Sequence, residues 1–255
     1  MKEILSTKNE LIKKVAKLHR RKERQKEHLY IMEGFHLIEE AYQNGAKMKY
    51  IFVTHKADQQ YLAFFEPLSE QVILVSEEII DKLSDLPTPQ GIIAVVEMSK
   101  TDSDLHQGKW LLLDYVQDPG NVGTMIRTAD AAGFDGVILG EGCADVYATK
   151  TLRSMQGSQF HLKVIQADLS QVIQQLKAAQ VKVYATELNK EAKQYQELPY
   201  HENVAIIMGN EGQGVRSEIL KLADESVYIP IYGQAESLNV GVAAGIMMYG
   251  LIRKK

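Results

Sequence analysis

Two kinds of hydrophobic spacing run along the chain. From residue 11 to residue 18, Leu11, Ile12, Val15, Ala16 and Leu18 recur at helical intervals, with Lys13, Lys14, Lys17, Arg20 and Arg21 on the other positions. A short apolar run at 29–32 follows, and the spacing over 37–42 predicts a second helix that stops near Asn44-Gly45. Short strands are expected at 50–54 and 72–75, then a helix through Ile79, Ile80 and Leu83 with Ser76 at its N-cap. Pro87 and Pro89 break the chain before a strand at 91–96. This is a small α/β layout.

The second half alternates more regularly. Near-continuous apolar runs predict strands at 110–115, 136–139, 162–165, 181–185, 204–208 and 226–230. Helical spacing lies between most of them, at 122–132, 147–156, 169–179 and 217–222. Strands apolar on both faces, separated by helices, predict a parallel sheet covered on each side. The last apolar stretch, 238–252, is apolar on nearly every face and too short to span a bilayer, which needs about 20 residues. A buried helix is the reading.

Between the halves, Ser99 to Gly108 is polar and aperiodic, which divides the chain into a first domain over 1–98, a linker over 99–108 and a second domain over 109–255. A length of 255 residues suits two domains. Charge sharpens the picture. Residues 1–28 carry ten Lys/Arg against four Asp/Glu, an excess of six, in a chain of net charge −4, so the remainder carries −10. A basic arm on an acidic body points to RNA, with Lys13, Lys14, Lys17, Arg20, Arg21, Lys22 and Arg24 as the phosphate contacts. The single cysteine, Cys143, cannot form an intrachain disulfide and suits a reducing cytoplasm, and the first residues lack a secretory apolar core. The seven histidines show no metal-ligand spacing, so no metal is expected, and no membrane partner either.

Three stretches place Gly, Asn, Glu, Ser and Arg at the carboxyl ends of predicted strands, where open α/β sheets bind ligands. In the first, Asp118 to Arg127, Asn121 stands ready to cap the next helix, and Gly123 and Arg127 share a helix face that a substrate could approach. In the second, Gly209, Gly212 and Gly214 surround Glu211 in a loop whose backbone is free to contact a ligand. In the third, Ile229-Pro230 leads to Ser237, read as the cap of the last helix. Gly241 and Gly245 lie one turn apart there and call for another backbone close by.

In this order, the three stretches resemble the motifs of the SpoU (TrmH-like) family of RNA ribose 2′-O-methyltransferases, in the SPOUT superfamily. The matching residues are Asn121, Gly123 and Arg127; then Gly209, Glu211 and Gly214; then Ile229-Pro230 and Ser237-Leu238-Asn239-Val240. The first half resembles the ribosomal-protein-like substrate-binding domain of such enzymes, through the basic helix, Lys22, Arg24 and the apolar run closing on Glu33-Gly34. One departure is Gly241, where family members often carry serine.

The resemblance implies a parallel sheet closed by a deep trefoil knot, and S-adenosylmethionine held by backbone groups at Gly209, Ile229 and Leu238. It also implies a homodimer with each site completed across the interface. Methyl transfer from a sulfonium is an in-line displacement, so positioning dominates. Arg127, Asn121, Glu211, Ser237 and Asn239 are the residues expected to do it. The matching arginine is often assigned as the base, but a guanidinium resists deprotonation; fixing the neighbouring phosphate and stabilising the alkoxide suits it better. Ribosomal RNA is the expected substrate, with transfer RNA as the alternative. A dinucleotide oxidoreductase would need G-x-G-x-x-G after its first strand, which neither half has. A catalytically silent RNA-binding module would account for the basic arm alone.

Overall fold

The computed structural model describes residues 2–99, 105 and 107–252, so most of the expected linker over 99–108 lies outside the described residues. The chain forms two compact units. One comprises Met1–Lys100 with Tyr147–Phe160, and the other comprises Thr101–Val146 with His161–Lys255.

In the first unit the order is β1 (Lys2–Ile4), α1 (Glu10–Ala16), α2 (Arg21–Glu27), β2 (Leu29–Glu33), α3 (Phe35–Gln43), β3 (Met48–Val53), α4 (His55–Gln60), α5 (Leu62–Phe65), β4 (Val72–Val75), α6 (Glu77–Leu83) and β5 (Ile92–Glu97). The sheet order is β1-β4-β3-β5-β2, parallel from β1 to β3 and antiparallel around β5. The apolar run at 29–32 is therefore a strand at the sheet edge. The expected basic helix is not continuous. α1 stops at Ala16, a 3-10 turn covers Lys17–His19, and α2 restarts at Arg21. Ile12, Val15 and Leu18 still face inwards and join Phe52, Ile79, Ile80 and Val95 in the core.

The second unit is built on β6 (Lys109–Leu113), α7 (Pro119–Ala131) and β7 (Gly136–Leu139). After β7 the chain enters α8 (Thr149–Met155), which clusters with the first unit and packs against β2. The chain then returns through β8 (Lys163–Gln166), α9 (Leu169–Ala178), β9 (Lys182–Thr186), β10 (Lys193–Gln194), β11 (Val204–Met208), α10 (Ser217–Leu220), β12 (Glu225–Tyr228) and α11 (Val240–Leu251). All seven strands are parallel, in the order β10-β12-β9-β11-β6-β7-β8. Leu111, Leu112, Leu113, Ile206 and Ile207 are fully buried, as central strands covered on both faces require. The expectation of a parallel sheet holds. β1 and β10 carry too few residues for any periodicity to announce them.

Strand order places the site. β11 lies between β9 and β6, so the loops leaving β6, β9, β11 and β12 emerge at one carboxyl edge. All three sequence motifs begin there.

Candidate active site

The first motif opens α7. Pro119 occupies the first turn, where its missing N–H costs nothing. The cap is Asp118, whose carboxylate accepts from the Asn121 backbone N–H at 2.9 Å. This corrects the expectation that Asn121 caps the helix; Asn121 is one turn inside, with its side chain free for other work. Gly123 is buried, so it is not an open approach for substrate, whereas Arg127 is exposed. Arg127 makes no hydrogen bond or ion pair among the described residues.

The second motif is a closed excursion from β11. Asn210 and Gly214 exchange backbone hydrogen bonds at 2.9 Å each. The Asn210 side-chain oxygen accepts from the N–H groups of Gly212 and Gln213, while its amide donates to the Tyr115 carbonyl at 2.9 Å. The loop closes so tightly that a Cβ on Gly209 would lie 2.1 Å from the backbone of Gly214 and Val215. No side chain fits at that position.

Glu211 sits at the tip. Its carboxylate accepts from the Asp118 N–H at 3.3 Å, the Gln117 N–H at 3.5 Å and the Asn121 side-chain amide at 3.1 Å. Partial burial pushes this carboxyl up, but the hydrogen bonds from its own backbone N–H, Asn121, Asp118 and Gln117 outweigh that and hold it below the usual range. Glu211 is therefore an ionised acceptor at neutral pH.

The third motif opens α11, and here too the cap differs from the expectation. Asn239, not Ser237, is the N-cap, its Oδ1 accepting from Gly241 N–H at 2.9 Å and Val242 N–H at 3.2 Å. Because that oxygen is committed to the cap, the amide nitrogen points outwards and donates to Asn121 Oδ1 at 3.1 Å. Asn121 must then turn its own amide towards Glu211. One polar relay, Asn239 to Asn121 to Glu211, thus joins all three motifs, with its direction fixed by a helix cap at one end and a carboxylate at the other. Gly241 faces α7, where an added Cβ would press to 3.2 Å on the capping oxygen. At Gly245 the nearest atom to such a Cβ is a Thr128 methyl at 3.5 Å, ordinary contact, so the expected backbone crossing does not occur there. The tightest backbone approach is at Gly209, against its own loop.

Beside the relay a cavity of about 280 Å³ opens between the ends of β9, β11 and β12 and the start of α11. Gly209, Ile229 and Leu238 line it together with Ser237 and Glu211. Met208, Val240 and Met247 supply apolar wall, and Glu187, Glu211 and Glu236 bring carboxylates to a lining without lysine or arginine. Such a donor set fits a planar apolar group joined to a cationic one, as in a sulfonium nucleoside. Of the residues expected to act together, the structure unites Asn121, Glu211 and Asn239 by hydrogen bonds and puts Ser237 on the cavity wall. Arg127 stands apart. Asp118 and Asn210 were missed by the motif reading, although both are polar residues placed directly around strand ends, which is the signal that would have found them.

In the first unit, Lys13, Lys14, Lys17, Arg20, Arg21 and Lys22 are exposed. Lys13 pairs with Glu10 and Lys14 with Glu27, both at 2.7 Å; exposed pairs of this kind are readily exchanged for phosphate. Arg24 departs from the expectation. It is 5% exposed and donates to the carbonyls of Leu18 and His19, both at 2.7 Å, so it ties the 3-10 turn to α2. Among the described residues no group of three or more His, Cys, Asp or Glu could hold a metal ion, and no helix is long and apolar enough to cross a membrane.

Residues 109–249 match the family model of the SpoU rRNA methylases, and residues 9–94 match that of the MRM3-like substrate-binding domain. The chain is 47% identical to the 23S rRNA (guanosine(2553)-2′-O)-methyltransferase RlmP of Bacillus subtilis, covering 98% of this chain and 99% of that protein. It is 35% identical to the 23S rRNA (guanosine-2′-O-)-methyltransferase RlmB of Acinetobacter baylyi, over 77% of this chain and 84% of that one. Among solved structures, an AdoMet-bound rRNA methyltransferase from Sinorhizobium meliloti superposes with a TM-score of 0.88 at 32% identity, covering 98% of this chain and 97% of that chain.

Proposed function

The chain belongs to the SpoU rRNA methylase family, and from that premise we propose that it methylates the ribose 2′-hydroxyl of a guanosine in 23S ribosomal RNA. It is an RNA 2′-O-methyltransferase, and its methyl donor is S-adenosylmethionine. The observation that carries the reading is the Asn239–Asn121–Glu211 relay at the rim of a cavity lined by Gly209, Ile229 and Leu238. When bound, the donor supplies an electrophilic methyl group on a sulfonium centre. What the chain supplies is position and charge. The carboxylates of the cavity suit the donor's cationic groups. The relay holds polar side chains in one orientation without rearrangement, which is the condition for efficient electrostatic stabilisation. Arg127 fixes a phosphate of the RNA and stabilises the negative charge that builds on the 2′-oxygen as it takes the methyl group and its proton passes to water. The resemblance of the three motifs to the SPOUT superfamily supports a knotted chain path, and a ribosomal RNA substrate supports action in the cytoplasm.

The test is methylation by the purified full chain of 23S ribosomal RNA and of total transfer RNA, each in a chelating buffer. We expect donor-dependent 2′-O-methylation at one guanosine of the ribosomal RNA without added metal. Methylation confined to transfer RNA, or a strict requirement for a divalent ion, would sink this reading.

The working form is a homodimer in which Arg127 of one copy completes the site of the other. Two features support it: Arg127 is exposed with no polar partner among the described residues, and α11, apolar on nearly every face, leaves Val242 54% and Tyr249 52% exposed in a single chain. Light scattering should return twice the single-chain mass at micromolar concentration. An active monomer would contradict it.

A further inference from the structure

Asp114 is the first residue past β6, and its carboxylate is fully buried although no motif includes it. The strand ladder seats it beside the start of the Glu211 loop: Leu113 pairs with Met208, and the Asp114 N–H continues the ladder to the Met208 carbonyl at 2.8 Å. What the carboxylate holds is the far end of that same loop. Its Oδ2 accepts from the Arg216 backbone N–H at 2.8 Å and its Oδ1 from Arg216 Nε at 2.9 Å, and Arg216 Nη2 forms an ion pair with Oδ1 at 2.8 Å. The loop over 209–216 is thus closed at its base by two hydrogen bonds and an ion pair from one arginine to one buried carboxylate, with Glu211 at its tip.

Burying the Asp114 carboxylate is costly even though Arg216, a third exposed, pairs with it, and an apolar pair of similar volume would avoid that cost. What an apolar pair lacks is direction. Arg216 is also stacked over Tyr115, its guanidinium carbon 5.4 Å from the ring centroid, and its Nη1 reaches Glu218 at 3.0 Å. Tyr115 itself has φ +61°, a left-handed backbone that is unfavourable for a non-glycine residue, and its carbonyl is the one that Asn210 holds. Strain of this kind persists where surrounding bonds over-determine the conformation. Two residues on, Gln117 and Asp118 present their N–H groups to Glu211.

We propose that Asp114 and Arg216 are positioning residues for methyl transfer: they lock the loop carrying Glu211 against the loop carrying Asn121, and so set the relay. This rests on the methyltransferase reading. Neither residue needs to touch the RNA or the donor.

The experiment compares the full chain with Asp114→Asn, Arg216→Met and Arg216→Lys, alone and combined with Glu211→Gln, which keeps one acceptor oxygen and measurable turnover. We expect kcat at saturating RNA and donor to fall about 10- to 100-fold in Asp114→Asn and Arg216→Met. Arg216→Lys keeps the charge but not the planar fork and should fall between wild type and Arg216→Met. RNA affinity should stay within about twofold of wild type, as for any group that acts only through the loop. The decisive arm is the combination. If the pair acts through Glu211, Asp114→Asn should cost less than about threefold in the Glu211→Gln background, because coupled residues are non-additive. A full cost in that background overturns the proposal, as does weakened RNA binding with kcat retained, which would make Arg216 an RNA contact. Should Asp114→Asn fail to fold, the two Arg216 variants carry the same comparison. Wild-type protein inactive on every RNA would instead sink the methyltransferase reading.

Discussion

Arg127→Ala lowers kcat by about 10²–10³-fold, the usual cost of removing one charged donor aimed at a developing oxyanion, while donor affinity hardly changes. The second half of this expectation comes from the structure: Arg127 is exposed on α7 and does not line the cavity holding Gly209, Ile229 and Leu238. Isothermal titration with S-adenosylmethionine, beside single-turnover methylation, separates the two effects. The variant also tests whether the arginine serves its own chain or the neighbouring copy. Mixed in equal amounts with Glu211→Ala, which removes the acceptor altogether, and allowed to exchange subunits, Arg127→Ala should recover about a quarter of wild-type turnover, since half of the dimers are mixed and each has one intact site. If Arg127 acts within its own chain, mixing restores nothing. Near-normal turnover of Arg127→Ala alone would remove the arginine from the mechanism altogether.

Neutralising Lys13, Lys14, Lys17, Arg20 and Arg21 together should weaken RNA binding by about 10²–10³-fold at physiological salt and leave turnover at saturating RNA largely intact. Each cation that touches phosphate adds about 0.7–0.9 to the log–log salt slope, so the slope should flatten by about 3.5–4.5 if all five do. All five are exposed, and the chemistry-bearing residues belong to the other unit. Filter binding across a salt series measures the slope directly. An unchanged slope would make this segment a solvated helix face and move the RNA path to the catalytic unit. Arg24 is left out of the set because its guanidinium is spent on the carbonyls of Leu18 and His19. Replacing it would disturb the fold of the segment and confuse the measurement.

Arg24 also illustrates what a linear reading misses. Composition counts it with the other cations, yet the break between α1 and α2 leaves carbonyls in need of a donor, and only the fold reveals that need. The same holds for the caps. Asp118, Asn121, Ser237 and Asn239 are all competent cap residues, and local propensity does not choose among them. Pro119 and the demands of Glu211 select Asp118, which frees Asn121; the need to reach Asn121 selects Asn239. By contrast, the parallel sheet was legible, because apolar runs such as 110–113 and 204–208 have no polar face to turn to water. The order β9-β11-β6 was not legible. It follows from crossovers that no local pattern encodes, and it is this order that sets Glu211 beside Asn121, 90 residues away in the chain.

α8 interrupts the catalytic half of the chain and yet clusters with the first unit, where Leu152 and Met155 are buried. The ribosome therefore delivers the two units out of step with their boundaries. When residue 100 emerges, the first unit still lacks its last helix, and it acquires that helix only after β6, α7 and β7 have left the tunnel. Those two strands form the beginning of a sheet whose other central members, β11 and β9, are not yet made. Domains usually fold as units during synthesis, N-terminal first. Here completion of the first unit must wait through the exposed infancy of the second, and in that interval the apolar residues 110–113 and 137–139 lack the neighbouring strands, β11 and β8 respectively, that later pair with them.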